Sequence, residues 1–119
     1  MPQIVVSYSE NLLPLFDRRA FARDLHREAG KVIDASLDDY KTRFLPIEAW
    51  AIGDGEGADT LVHVEFGLLS GRSEDARAEL AKTLLRVVRE AFPEAPACTH
   101  FTVEVREMNR PTFAKHITA

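Results

Sequence analysis

The segment Thr60 to Leu69, TLVHVEFGLL, limits the possible folds more than any other part of the chain. It is β-branched and aromatic, one strand long, and apolar at both parities. Successive side chains of a strand point to opposite faces of its sheet. Val62, Val64, Phe66 and Leu68 therefore share one face, and Leu61, His63, Gly67 and Leu69 the other. Both faces need cover. The IVV run at Ile4 to Val6 and FLPIEAWAI at Phe44 to Ile52 have the same two-sided character. Two stripes at helical spacing separate the strand segments. Phe21, Leu25, Ala29, Val32 and Ile33 mark a helix expected from an N-cap at Asp17 to about Ala35. Ala76, Leu80, Leu84, Val87, Val88 and Ala91 mark a second, with Ser73 as N-cap, Glu74 and Asp75 in the first turn, and Pro93 and Pro96 as stops.

The strands expected are Pro2 to Tyr8, Lys41 to Ile52, Thr60 to Leu69 and Phe101 to Arg106. Pro46 suggests a bulge or an edge position in the second. The Gly53-to-Gly57 turn would make the second and third a hairpin. Pro14 falls near a loop, and the polar tail from Glu107 to Ala119 is assigned no regular structure. The order is β-α-β-β-α-β, an α/β (α+β) chain forming a single domain over residues 1–119. Right-handed crossovers put its two helices on one face of a four-stranded sheet. The other face keeps apolar residues and has no further helix to cover it. A homo-oligomer packing sheet on sheet is therefore expected; symmetry alone favours a dimer, and burial does not set the subunit number.

Composition excludes several function classes. The formal charge is −4, and no segment concentrates Lys and Arg among aromatics, so no nucleic-acid partner is expected. No apolar run is long enough to span a bilayer, so no membrane partner is expected either. MPQIVVSYSE lacks the basic and apolar regions of a signal peptide and reads as the start of the mature fold. Cys98 is the only cysteine, which fits a reducing cytoplasm and reads as an inert core thiol. His26, His63, His100 and His116 show no metal-ligand spacing, and no metal or cofactor is expected. His63 reads as a hydrogen-bonded residue at a subunit interface, and Phe44 and Trp50 as core or interface. No phosphate loop, dinucleotide motif or nucleophile elbow is present.

The chemistry concentrates at the amino terminus. Removal of Met1 leaves Pro2 with a free secondary amine at the head of a strand. An ordinary α-amino group titrates at about 7.7–8.0, and a proline amine is somewhat more basic. Neighbouring cations and an apolar wall lower that value toward the working pH, as a proton shuttle requires. Arg72, in SGRSEDAR, stands just before the second helix, where it either forks onto a carboxylate ligand or pairs with Glu74 or Asp75. Lys41 and Arg43 open the second strand and share a face, either as a solvated strand end or as further cations of the site. Pro2 with Arg72 and one of these would set a base beside an anion-attracting site that also stabilises a dienolate.

MPQIVVSYSENL, KTRF, ADTLVHVEFGLLSGRSEDAR and VEVREMNRPTF together resemble the 5-carboxymethyl-2-hydroxymuconate Δ-isomerase family of the tautomerase superfamily, over nearly the whole chain. The most specific pieces are the initial Met-Pro, the strand–Gly-Arg-Ser–helix junction and the Glu-x-x-x-Pro-Thr run from Glu107 to Thr112. The resemblance implies a homotrimer whose sheets wrap into a central barrel, a general base at Pro2, and a carboxylate-binding arginine at Arg72. The family typically has Arg-Ser-Arg where this chain has Lys41-Thr42-Arg43, and there the first arginine binds substrate. Lysine keeps the charge and loses the planar fork. Either Lys41 binds more loosely, Arg43 takes over, or the substrate differs.

Three functions follow as expectations. The first is a cofactor-free isomerase of aromatic catabolism acting on a 2-hydroxymuconate-type dicarboxylate, with Pro2 as base. The second keeps the fold and uses protonated Pro2 as general acid in a hydratase or dehalogenase; Glu10, Glu48, Glu65 and Glu107 qualify by type to activate water. The third is a non-catalytic oligomeric binding protein.

Overall fold

A computed structural model describes residues 1–119. Strand β1 spans Gln3–Ser9, helix α1 Arg18–Ala29, β2 Lys41–Ile47, β3 Thr60–Leu69, helix α2 Glu74–Ala91 and β4 Thr99–Met108, with short 3-10 turns at Glu10–Leu15, Leu37–Asp39 and Arg110–Thr112. The four strands form one sheet in the order β2-β1-β3-β4. β1 runs parallel to β2 and antiparallel to β3, and β3 runs parallel to β4. Each parallel pair is linked through one helix, which gives the expected β-α-β-β-α-β arrangement.

The parity of the strands decides which face is core. Ile4, Val6 and Tyr8 of β1 and Val62, Val64, Phe66 and Leu68 of β3 are fully or almost fully buried beneath the helices. Phe21, Leu25 and Ala29 of α1 and Leu80, Leu84, Val87 and Val88 of α2 close over them. Both helices begin where the sequence places their caps. The Asp17 side chain accepts from the Ala20 N–H, and Ser73 Oγ from the Ala76 N–H, each at 3.1 Å. The opposite face is mixed. Val5, Leu61 and Leu69 are half-buried there, Leu45 is 48% exposed, and β4 contributes Thr102, Glu104 and Arg106. The apolar character expected of this face therefore belongs mainly to β1, β2 and β3, with Met108 the apolar contribution of β4 beside Leu69.

Five expectations need correction. β2 and β3 do not form a hairpin, because β1 lies between them. β1 carries the IVV run suited to a central strand, while Pro46 lacks an N–H and sits on the edge strand β2. Residues 48–59 cross the end of β1 instead, where the Trp50 indole N–H donates to the Asp59 carbonyl at 2.8 Å. α1 ends at Ala29 rather than near Ala35. A turn then carries Ile33 into the core, with the Ile33 N–H donating to the Ala29 carbonyl at 2.9 Å. β2 stops at Ile47, and β4 outruns its expected bounds because it pairs with β3 along the whole of that strand. Cys98 is an exposed free thiol at φ 63°, on a turn rather than in the core.

Candidate active site

The sheet holds the amino terminus in place. Pro2 immediately precedes β1 and is buried, and its carbonyl accepts the Lys41 N–H of β2 at 3.2 Å. The terminal residue therefore emerges from a fixed point between two strands. It opens into a pocket of about 390 Å³ lined by Met1, Asp34, Asp39, Leu69, Arg72 and Arg110, with Ala35 and Ser36 completing the wall. A larger hollow of about 850 Å³, between the first 3-10 turn, α1 and β2, shares no residue with it. Size does not make that hollow the site: Asp17, Arg18 and Arg19 line it, but the amino terminus and Arg72 open onto the smaller one.

Arg72 reaches this pocket because of the turn before it. Gly71 adopts φ 128°, a conformation L side chains rarely take, and swings the chain from β3 into α2. The Arg72 guanidinium then donates to the Asp34 carbonyl at 2.8 Å and more weakly to the Leu69 carbonyl at 3.5 Å. It pairs with neither Glu74 nor Asp75, so backbone oxygens orient its charge without neutralising it. Lys41 donates its ammonium to the Asp39 carbonyl at 3.2 Å. Arg43 shares Lys41's face, as the alternation predicts, but is exposed and gives its guanidinium to the Gln3 side chain at 2.9 Å.

In the chain as it stands the terminal amine belongs to Met1. Removing Met1 transfers that role to the buried Pro2 nitrogen, one residue further in. Burial is the largest influence on the Met1 amine and pushes its pKa down. The Asp39 carboxylate opposes this, while Arg72, Lys115 and Lys41 reinforce it. Lys115, from the tail beyond β4, ion-pairs with Asp39 at 2.9 Å and touches Met1 Sδ at 3.3 Å. That hydrogen bond holds the Asp39 carboxyl below its ordinary range and offsets the one nearby charge that favours a protonated amine.

Arg72 and the amino terminus thus line one pocket; Lys41 is outside its lining but near enough to act on the terminal amine, and Arg43 stays outside. Glu10, Glu48, Glu65 and Glu107 are all absent from the lining. Glu65 pairs with Arg106 at 3.2 Å and Glu107 with Arg77 at 3.5 Å. His63 bonds Thr102 at 2.6 Å, His100 bonds Asp59 at 3.0 Å, and no group of three or more His, Cys, Asp or Glu is placed to hold a metal ion. Reading the sequence missed Asp39, Lys115 and Arg110. Only Arg110 had a signal, since it lies inside the Glu107-to-Thr112 run.

A family model described as 5-carboxymethyl-2-hydroxymuconate isomerase matches residues 2–118. Among solved structures, a 5-carboxymethyl-2-hydroxymuconate isomerase from Deinococcus radiodurans superposes with a TM-score of 0.74 at 22% identity, covering 98% of this chain and 90% of that one. A fused 4-OT wild-type symmetric trimer gives a TM-score of 0.74 at 17% identity, over 94% of this chain and 89% of that one. A member of the cis-3-chloroacrylic acid dehalogenase family gives 0.71 at 19% identity, over 95% and 79%. The comparison with curated proteins gives no match.

Proposed function

The chain belongs to the 5-carboxymethyl-2-hydroxymuconate isomerase family, and from that premise we propose that it is a cofactor-free isomerase of a 2-hydroxymuconate-type unsaturated dicarboxylate. One observation carries the reading. The terminal amine opens into a pocket where Arg72 presents a guanidinium that no carboxylate neutralises. Once Met1 is removed, the Pro2 nitrogen accepts the proton of the substrate's 2-hydroxyl. The conjugated electrons shift, the C2–O bond becomes a carbonyl, and the same nitrogen returns the proton to a carbon of the chain. The product is the 2-oxo isomer with one carbon–carbon double bond fewer, and proton and electron count are conserved. Arg72 holds a carboxylate and stabilises charge developing in the dienolate. Of the two strand cations the reading favours Lys41, which lowers the amine's proton affinity, over Arg43, which is occupied by Gln3.

Assembly belongs to the same proposal. The helix-free face leaves Val5, Leu45, Leu61 and Leu69 partly open, and a homotrimer would cover them. The trimeric form of one structural relative supports that number. A reducing cytoplasm suits the free thiol at Cys98. No helix is long and apolar enough to cross a membrane. A dehalogenase-like reaction with protonated Pro2 as acid has a structural relative in its favour. It is the weaker reading, because the four glutamates suited by type to activate water lie off the pocket.

The test uses protein whose intact mass shows Met1 gone. Addition of 5-carboxymethyl-2-hydroxymuconate is expected to give enzyme-dependent decay of the dienol ultraviolet absorbance. No acceleration over buffer by fully processed protein would overturn the isomerase reading and leave the binding-protein reading standing.

A further inference from the structure

The run from Glu107 to Thr112 does structural work that ends on one side chain. Ser70, at the end of β3, donates its N–H to the Met108 carbonyl at 2.9 Å. Its hydroxyl accepts the Arg110 N–H at 3.2 Å, and its carbonyl accepts Nε and Nη2 of the Arg110 guanidinium at 3.3 and 3.2 Å. Pro111 fixes the backbone of the turn at φ, and Thr112 Oγ1 closes it on the Asn109 carbonyl at 3.1 Å. Backbone and head group of Arg110 are thus both tied to Ser70, and the residue lines the pocket that receives the amino terminus.

We propose that Arg110 is a second carboxylate-binding arginine of this pocket and makes the site selective for dicarboxylates over monocarboxylates. The proposal rests on the amine pocket being the substrate site. Arg72 and Arg110 hang from consecutive carbonyls, those of Leu69 and Ser70, at the end of one strand. Neither forms an ion pair. The bonds to Ser70 use Nε and Nη2 of Arg110, which leaves Nη1 and one Nη2 hydrogen to fork onto a ligand carboxylate. The fixed head group loses little side-chain freedom on binding. Asp34 and Asp39 also line the pocket, but Lys115 neutralises Asp39, so the cations prevail. A diacid meets both guanidiniums, whereas a monoacid of the same length meets one.

Calorimetric titration of the processed full-length protein with muconate and with sorbate, its six-carbon diene monoacid counterpart, tests this without turnover. Arg110→Gln is expected to weaken muconate roughly 10- to 100-fold, the worth of a hydrogen-bonded charge pair, and to leave sorbate unchanged. Muconate affinity then converges on that of sorbate. Arg110→Lys recovers part of the loss, and Arg72→Gln weakens both ligands. Unchanged muconate binding in Arg110→Gln, equal losses for both ligands, or wild-type protein with no preference for muconate would each overturn the proposal. Muconate preference that depends on Arg110, in protein with no isomerase activity, would keep it and sink the isomerase reading instead.

Discussion

Protein that keeps Met1 is expected to lose turnover of the hydroxymuconate by at least the roughly 10²- to 10⁴-fold that a positioned base contributes. Retention converts the Pro2 nitrogen into a tertiary amide with no proton affinity near neutral pH. It also leaves the Met1 side chain in the pocket, with its sulfur 3.3 Å from the Lys115 ammonium. Base and space are lost together. Pro2→Ala separates these effects, because the processed variant presents a primary amine at the same strand end. It is expected to be slower than the parent but faster than the Met1-retaining form. The loss has two sources: the alanine nitrogen lacks the ring that fixes φ, and its amine differs in basicity. Steady-state kinetics on fractions sorted by intact mass check both. Equal rates in processed and unprocessed protein would remove the amine from the chemistry.

Arg72→Gln is expected to lower kcat/KM by about 10²- to 10³-fold, the size of effect seen when one donor to a developing oxyanion is removed. The reason is positional. Gly71 at φ 128° places Arg72 beyond the end of β3, and two backbone carbonyls hold its head group in place. Glutamine keeps some hydrogen bonding and removes the charge, so substrate binding and dienolate stabilisation fall together and the loss divides between KM and kcat. The charge also helps to keep the amine unprotonated. The acid limb of the pH profile should therefore move to higher pH in Arg72→Gln, a shift that loss of a purely structural arginine would not produce. A change below threefold in kcat/KM with an unmoved limb would contradict the assignment.

Local chemistry made much of this molecule legible in its sequence. The caps at Asp17 and Ser73 and the two-sided composition of TLVHVEFGLL each depend on neighbours within a few residues, and each appears in the structure where it is expected. Strand pairing is different. The Gly53-to-Gly57 turn is real, with Gly53 and Gly55 at positive φ, yet it serves a crossover rather than a hairpin. Turn residues report a change of direction and do not say which strand will be met. Ile33 gives a second lesson: it falls at helical spacing after Ala29 and is buried, but it reaches the core from a turn. Periodic burial does not require helical backbone. The site divides the same way. Pro2 and Arg72 lie at junctions whose geometry is local. Asp39, Arg110 and Lys115 come to the amino terminus through tertiary contacts, the last two from a polar tail that carries no periodic pattern.

The protonation of the Pro2 nitrogen, followed by ¹⁵N NMR on proline-labelled, processed protein across pH 5–10, bears most directly on the base assignment. Burial and the Arg72, Lys115 and Lys41 charges outweigh Asp39 in lowering the affinity of the terminal amine for its proton. A midpoint below that of a free proline amine is therefore expected, and it should coincide with the acid limb of kcat/KM: activity present above it and lost as pH falls through it. A midpoint no lower than that of a free proline amine would mean that the nitrogen carries a proton at working pH and acts as an acid or not at all.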